Sequence, residues 1–160
     1  MKKTVFLVAV IATACVQNLF AQDSTAASGL SGLLTQYYAI KDALVAGKAT
    51  IASASAAQFV KTLHGLQQGI VPAESKAALL KDAAPVAASS EVGKQREAFA
   101  ALSTDMIVLA KSARLSSEPV YQQYCPMKKA NWLSSDKAIK NPYYGSSMLT
   151  CGKVVETFNQ

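Results

Sequence analysis

The chain has 160 residues, with 16 Lys and Arg against 10 Asp and Glu and a single histidine, for a formal charge of +6. That length sets one domain with room for a real hydrophobic core. Beyond the N-terminus the basic residues are scattered from Lys41 to Lys153, with only Lys128 and Lys129 adjacent. This is a solvating charge rather than a stripe that tracks phosphates, so nucleic acid is not an expected partner. With one histidine, and without a Gly-x-Ser-x-Gly, phosphate-binding, His-Glu-x-x-His or EF-hand motif, the sequence does not read as an enzyme.

Residues 1–21 read as a cleaved signal peptide. Lys2 and Lys3 form a positive n-region, and Val5 to Val16 is an uncharged apolar stretch. At about a dozen residues it is too short to span a bilayer, which takes about 20. Leu19-Phe20-Ala21 places a small residue at the cut, with Gln22 opening the mature chain. Cys15 is a minor alternative as a lipid-attachment site. Removing 21 of the 160 residues leaves 139 and takes away two lysines, so 14 basic residues face 10 acidic ones, a charge of +4. The expected location is the periplasm, with no membrane span left after cleavage.

Residues 22–29 are small and polar and read as a flexible lead-in to a single domain over 30–160. Leu30, Leu33, Leu34, Tyr37, Tyr38 and Leu44 fall at spacings of three and four, which lines one face of a helix that Gly47 stops. A second helix is expected from about Ala49 to Gln68, burying Ala52, Ala56, Phe59, Leu63 and Leu66, with Gly69 and Pro72 ending it. A shorter helix over Ala73 to Ala83 stops before Pro85. The longest, about Ser90 to Arg114, carries Val92, Phe99, Leu102, Met106, Leu109 and Ala113, with Ser89 and Ser90 as N-cap candidates. Short connections between such helices make an antiparallel bundle. The expected fold is therefore mainly α, about four helices.

At Ser116 the composition changes. Alanine nearly vanishes, and Tyr121, Tyr124, Pro126, Trp132, Pro142, Tyr143 and Tyr144 take its place. Val120 to Tyr124 reads as extended, Asn141-Pro142 and Gly145 as turns, and Val154-Val155 as a short strand. Residues 116–160 are expected to pack on the bundle as an irregular, partly extended cap.

The cap holds the sulfur. Cys125 and Met127 are two residues apart and share a face if extended, and Met148 and Cys151 are three apart and share a side in a turn. Two thiols and two thioethers thus flank one aromatic loop. They are soft donors that favour Cu(I) and similar ions over calcium or magnesium. Structural zinc sites use Cys and His rather than Met. The spacing leaves an alternative open. Cys125 and Cys151 can instead form a disulfide, the default for paired thiols in an oxidising compartment. It would close a loop of about 27 residues, worth roughly 3 kcal/mol, with Met127 and Met148 as core filling. His64 is a boundary residue of the second helix and an additional candidate ligand.

The C-terminal strings resemble the DUF3347 family. They are Val120 to Met127, Trp132-Leu133-Ser134, Ile139 to Gly145, and Met148-Leu149-Thr150-Cys151-Gly152. Tyr38 to Val45 and Arg96 to Leu109 look like the family's first and last helices. Such domains occur in exported proteins of Bacteroidetes, alone or fused to periplasmic adaptors of copper/silver-type heavy-metal efflux systems. The resemblance implies heavy-metal handling, with Cys125, Met127, Met148 and Cys151 as the matching ligand positions. Copper as Cu(I) is the expected ion, with silver and zinc as alternatives, and an efflux adaptor is a candidate partner. The rival expectation is a disulfide-stapled helical interaction module without metal.

Overall fold

A computed structural model of the chain describes residues 26–159. The expected signal peptide, its cut and Cys15 lie outside them. Helix α1 (residues 26–45) already includes 26–29, which corrects the described part of the expected lead-in. Ala26 and Ala27 favour helix. Gly29 packs so closely on the neighbouring helix that a Cβ there would lie 2.7 Å from Leu66 Cδ2. The predicted apolar face is the buried one, with Leu30, Leu33, Leu34, Tyr37 and Leu44 in the core. Past the helix, the Gly47 N–H donates to the Leu44 carbonyl and the Lys48 N–H to that of Ala43, at 3.2 and 2.9 Å.

Helix α2 (Ala49–Gly65) buries Ala52, Ala56, Phe59 and Leu63, and ends three residues before the expected Gln68. Helix α3 (Ala73–Ala88) corrects the sequence reading more sharply, because it runs straight through Pro85. A proline inside a helix strips the carbonyl four residues earlier of its donor. Here Pro85 lies on the exposed face, while Ala83 and Val86 beside it are buried. The last-turn carbonyls also find side-chain donors. Ser53 Oγ donates to the Ala87 carbonyl, and Gln95 Nε2 to those of Val86 and Ser89. Helix α4 (Val92–Ser112) starts after Glu91 rather than at a serine cap. Ser89 Oγ accepts the Glu91 N–H at 3.1 Å, just ahead of the helix.

α2 packs on α3, and α3 on α4. α1 runs antiparallel to α4, since Arg96 Nη2 donates to the Leu44 carbonyl at 2.8 Å while Tyr37 pairs with Ser103 further along. The domain is a mainly α antiparallel bundle, as its periodicity indicated. Among the described residues, no helix is long and apolar enough to cross a membrane.

The C-terminal cap is more regular than expected. β1 (Val120–Cys125), β2 (Ala130–Ser134) and β3 (Lys153–Phe158) form an antiparallel sheet in the order β2-β1-β3. The β1–β2 hairpin closes with Cys125 opposite Ala130, so residues 126–129 form the turn. Lys129 takes a left-handed conformation there, φ 55°. No Asn-Gly or Asp-Gly pair announces this hairpin, which is why β2 was not legible.

The sheet is fastened to the bundle by aromatic rings and one hydroxyl. Tyr37 stacks on Phe99 at 5.2 Å between centroids, Phe99 meets Tyr143 at 6.1 Å, and Tyr143 meets Trp132 edge-on at 5.9 Å. Tyr37 Oη shares a 2.7 Å hydrogen bond with Ser103 and accepts the Leu133 N–H at 3.1 Å. One atom thereby joins α1, α4 and β2. Tyr37→Phe would leave the buried Leu133 N–H without its acceptor, a cost of about 1–3 kcal/mol. Thermal denaturation of the purified variant checks this, and an unchanged Tm would contradict the assigned role.

Candidate metal centre

The site forms where the end of β1 meets the segment leading into β3. Cys125 is the last residue of β1 and fully buried. Its Sγ accepts two N–H groups, from the Lys128 backbone at 3.4 Å and from Asn141 Nδ2 at 3.1 Å. The first follows from the Pro126–Lys129 turn, which folds the chain back over the sulfur.

Asn141 is also fully buried, and its hydrogen-bonding groups are all engaged. Nδ2 donates both to the Cys125 sulfur and to the Cys151 carbonyl, the latter at 2.8 Å. Oδ1 accepts the Tyr143 N–H at 2.9 Å, an Asx turn that starts the Pro142-Tyr143-Tyr144 bend. Its own N–H donates to the Leu149 carbonyl and its carbonyl accepts the Gly145 N–H, at 2.8 and 2.9 Å.

Two glycines let the loop close. Gly145 opens a 3-10 turn (Gly145–Met148) with φ +57°. A Cβ there would collide with Arg96 Nη2 and lie 2.8 Å from the Val45 carbonyl oxygen. The Arg96 guanidinium meanwhile satisfies a terminal carbonyl of α1, and desolvation holds its pKa below the ordinary arginine value. Gly152 passes equally close to Trp132 and to the backbone of Tyr124. Cys151, held by a 3.1 Å bond from its N–H to the Met148 carbonyl, arrives beside Cys125. Partial burial raises the Cys151 thiol pKa, and Cys125, to which it hydrogen-bonds, raises it further.

The structure therefore joins the two predicted cysteines, 26 positions apart in sequence, as neighbouring free thiols. Met127 and Met148 do not fill the core. They are 60% and 38% exposed, on the two turns that carry the thiols. His64 is exposed on the last turn of α2, near Leu66, which touches Gly29 at the start of α1. The sulfur loop instead packs at Val45, the other end of α1. Sixteen helical residues, about 24 Å, separate those ends, so His64 stands apart from the thiols.

Among the described residues, no three His, Cys, Asp or Glu side chains gather as a metal cluster. The donors that converge are two thiols, with thioethers on the same turns. That set fits a soft, thiophilic ion. Sequence reasoning missed Asn141 as part of the centre. Asn-Pro signalled a turn, but the amide's reach to a sulfur 16 residues earlier depends on the folded loop.

The family model described as "Protein of unknown function (DUF3347)" matches residues 33–118, more than half of the chain. The chain belongs to this family. The DUF3347 match covers most of α1, all of α2 to α4 and the approach to the sheet. It ends before β1, so the Cys-Pro-Met, Asn-Pro-Tyr-Tyr-Gly and Met-Leu-Thr-Cys-Gly strings lie beyond it. Nothing matches the chain among the curated proteins or the solved structures compared with it.

Proposed function

We propose that this DUF3347 protein is an exported, periplasmic binder of a soft heavy-metal ion of the copper type, which it sequesters or passes to an efflux system. The observation that carries the reading is the meeting of Cys125 and Cys151 as free thiols on a loop held by buried hydrogen bonds. Export rests on the N-terminal sequence. Copper is favoured over zinc by the donor types, since thioethers flank the thiols and a third Cys, His or carboxylate does not join them among the described residues. The roles follow from placement. Cys125 is the anchored thiolate ligand inside the fold, and Cys151 the partly accessible one where an ion enters and leaves. Met127 and Met148 would supply thioethers from the exposed turns. An accessible, apolar sulfur rim that includes Leu149 suits transfer to a partner protein such as an efflux adaptor. Binding and transfer need no catalytic residue.

Reduced protein titrated anaerobically with Cu(I) against a competing chelator should take up about one equivalent. Cys151→Ser should weaken binding by more than about 100-fold, beyond the 10–100-fold that outer partners of a metal site contribute. Unchanged affinity in that variant would remove Cys151 from the site.

The adjacency of the thiols equally supports a second reading, a disulfide-stapled interaction module. A thiol count on freshly isolated protein separates the two when followed by the titration. The module reading requires oxidised cysteines and no Cu(I) uptake after reduction.

A further inference from the structure

Many bonds of this cap serve the fold alone, but those of the Asn141 amide reach both cysteines, one at its sulfur and the other at its backbone carbonyl. Its two amide protons are divided between them, one on the Cys125 sulfur at 3.1 Å and one on the Cys151 carbonyl at 2.8 Å. Its Oδ1 is occupied by the Tyr143 N–H, which fixes the orientation of the amide: Nδ2, not Oδ1, faces the sulfur. The residue is fully buried, so water does not compete for these bonds.

We infer that Asn141 is the positioning residue of the metal centre, setting the separation of the two thiols and donating to the Cys125 sulfur when it binds an ion. The inference rests on the metal-binding reading and adds to it a residue that touches no metal. A metal-bound thiolate carries negative charge, and charge-assisted N–H donors stabilise it more than they stabilise a neutral thiol. Lys128 supplies one such donor from the backbone, which no side-chain substitution removes. Asn141 supplies the other. The bond to the Cys151 carbonyl does a different task, holding the second ligand in place before the ion arrives, so that less ordering is left for the binding step.

Asn141→Asp keeps the size and the Oδ1 acceptor but turns a carboxylate oxygen toward the sulfur. Cu(I) affinity, read by chelator competition, should fall about 10–100-fold, the range for partners that orient metal ligands. The thiolate-to-copper charge-transfer band should move to longer wavelength, because a sulfur without its N–H donor holds its electrons less tightly. Asn141→Ser serves as the second variant, since its hydroxyl retains a local turn bond but is too short to reach both cysteines. It should show the same band shift. A merely structural asparagine would lower Tm and leave the band of the folded, loaded variants unmoved. If wild type binds Cu(I) and both variants match it in affinity and band position, Asn141 has no such role and the metal reading stands. If wild type takes up no Cu(I), the metal reading fails and this inference fails with it.

Discussion

Phe99→Ala should lower the free energy of unfolding by about 3–5 kcal/mol, the range for deleting a fully buried phenylalanine. Phe99 has no exposed surface, and its ring lies between Tyr37 of α1 and Tyr143 of the cap. Its removal leaves a cavity where three parts of the domain meet, and rigid neighbours on both sides limit collapse into it. Urea denaturation followed by far-UV circular dichroism measures the helices. The fluorescence of Trp132, the single tryptophan, measures the cap. In the wild type the two transitions should coincide, because the aromatic series and the Tyr37–Leu133 bond couple bundle and sheet. In the variant the tryptophan signal should change first. A loss below about 1 kcal/mol with coincident transitions would show that the rings are not the fastening.

Gly152→Ala should damage the sulfur centre itself. The residue has φ +151°, and an added Cβ would sit 2.9 Å from the Tyr124 carbonyl oxygen and 2.9 Å from Trp132 Cη2. The carbonyl belongs to backbone directly before Cys125, so it cannot swing aside without moving β1. The indole is fully buried against Tyr143 and has little more freedom. Relief must come from the loop, and Cys151 moves with it. The expected cost is about 1–3 kcal/mol of strain, with a fall in Cu(I) affinity as the thiols separate. Calorimetry and the chelator titration read the two effects independently. A variant with wild-type Tm and wild-type affinity would mean that the loop has slack where the contacts show none.

The sulfur residues were legible as a group and their arrangement was not. Spacing placed Cys125 with Met127 and Met148 with Cys151, yet nothing in the string brings the two pairs within reach of each other. That depends on β3 pairing alongside β1, on Gly145 fitting under Arg96, and on the hydrogen bonds of Asn141. His64 shows the converse. As the single histidine it drew notice as a ligand, and the packing of α1 on α2 leaves it at the far end of the bundle.

The helices are the part that sequence determines by itself. Apolar residues at spacings of three and four mark the buried face of α1, α2 and α4, because a helix that hides one side must repeat its apolar positions with its own period. Those helices are also where the DUF3347 match falls. Tertiary structure decides the rest. Pro85 reads locally as a helix end, but it and Lys81, whose carbonyl loses its donor, lie on the exposed face while Ala83 and Val86 are buried, and α3 continues. β2 lacks a turn signal and forms because β1 offers it a partner and α4 a surface. The meeting of Cys125 and Cys151 belongs to the same class. It is made by contacts between residues distant in the chain, whose energies no local pattern records.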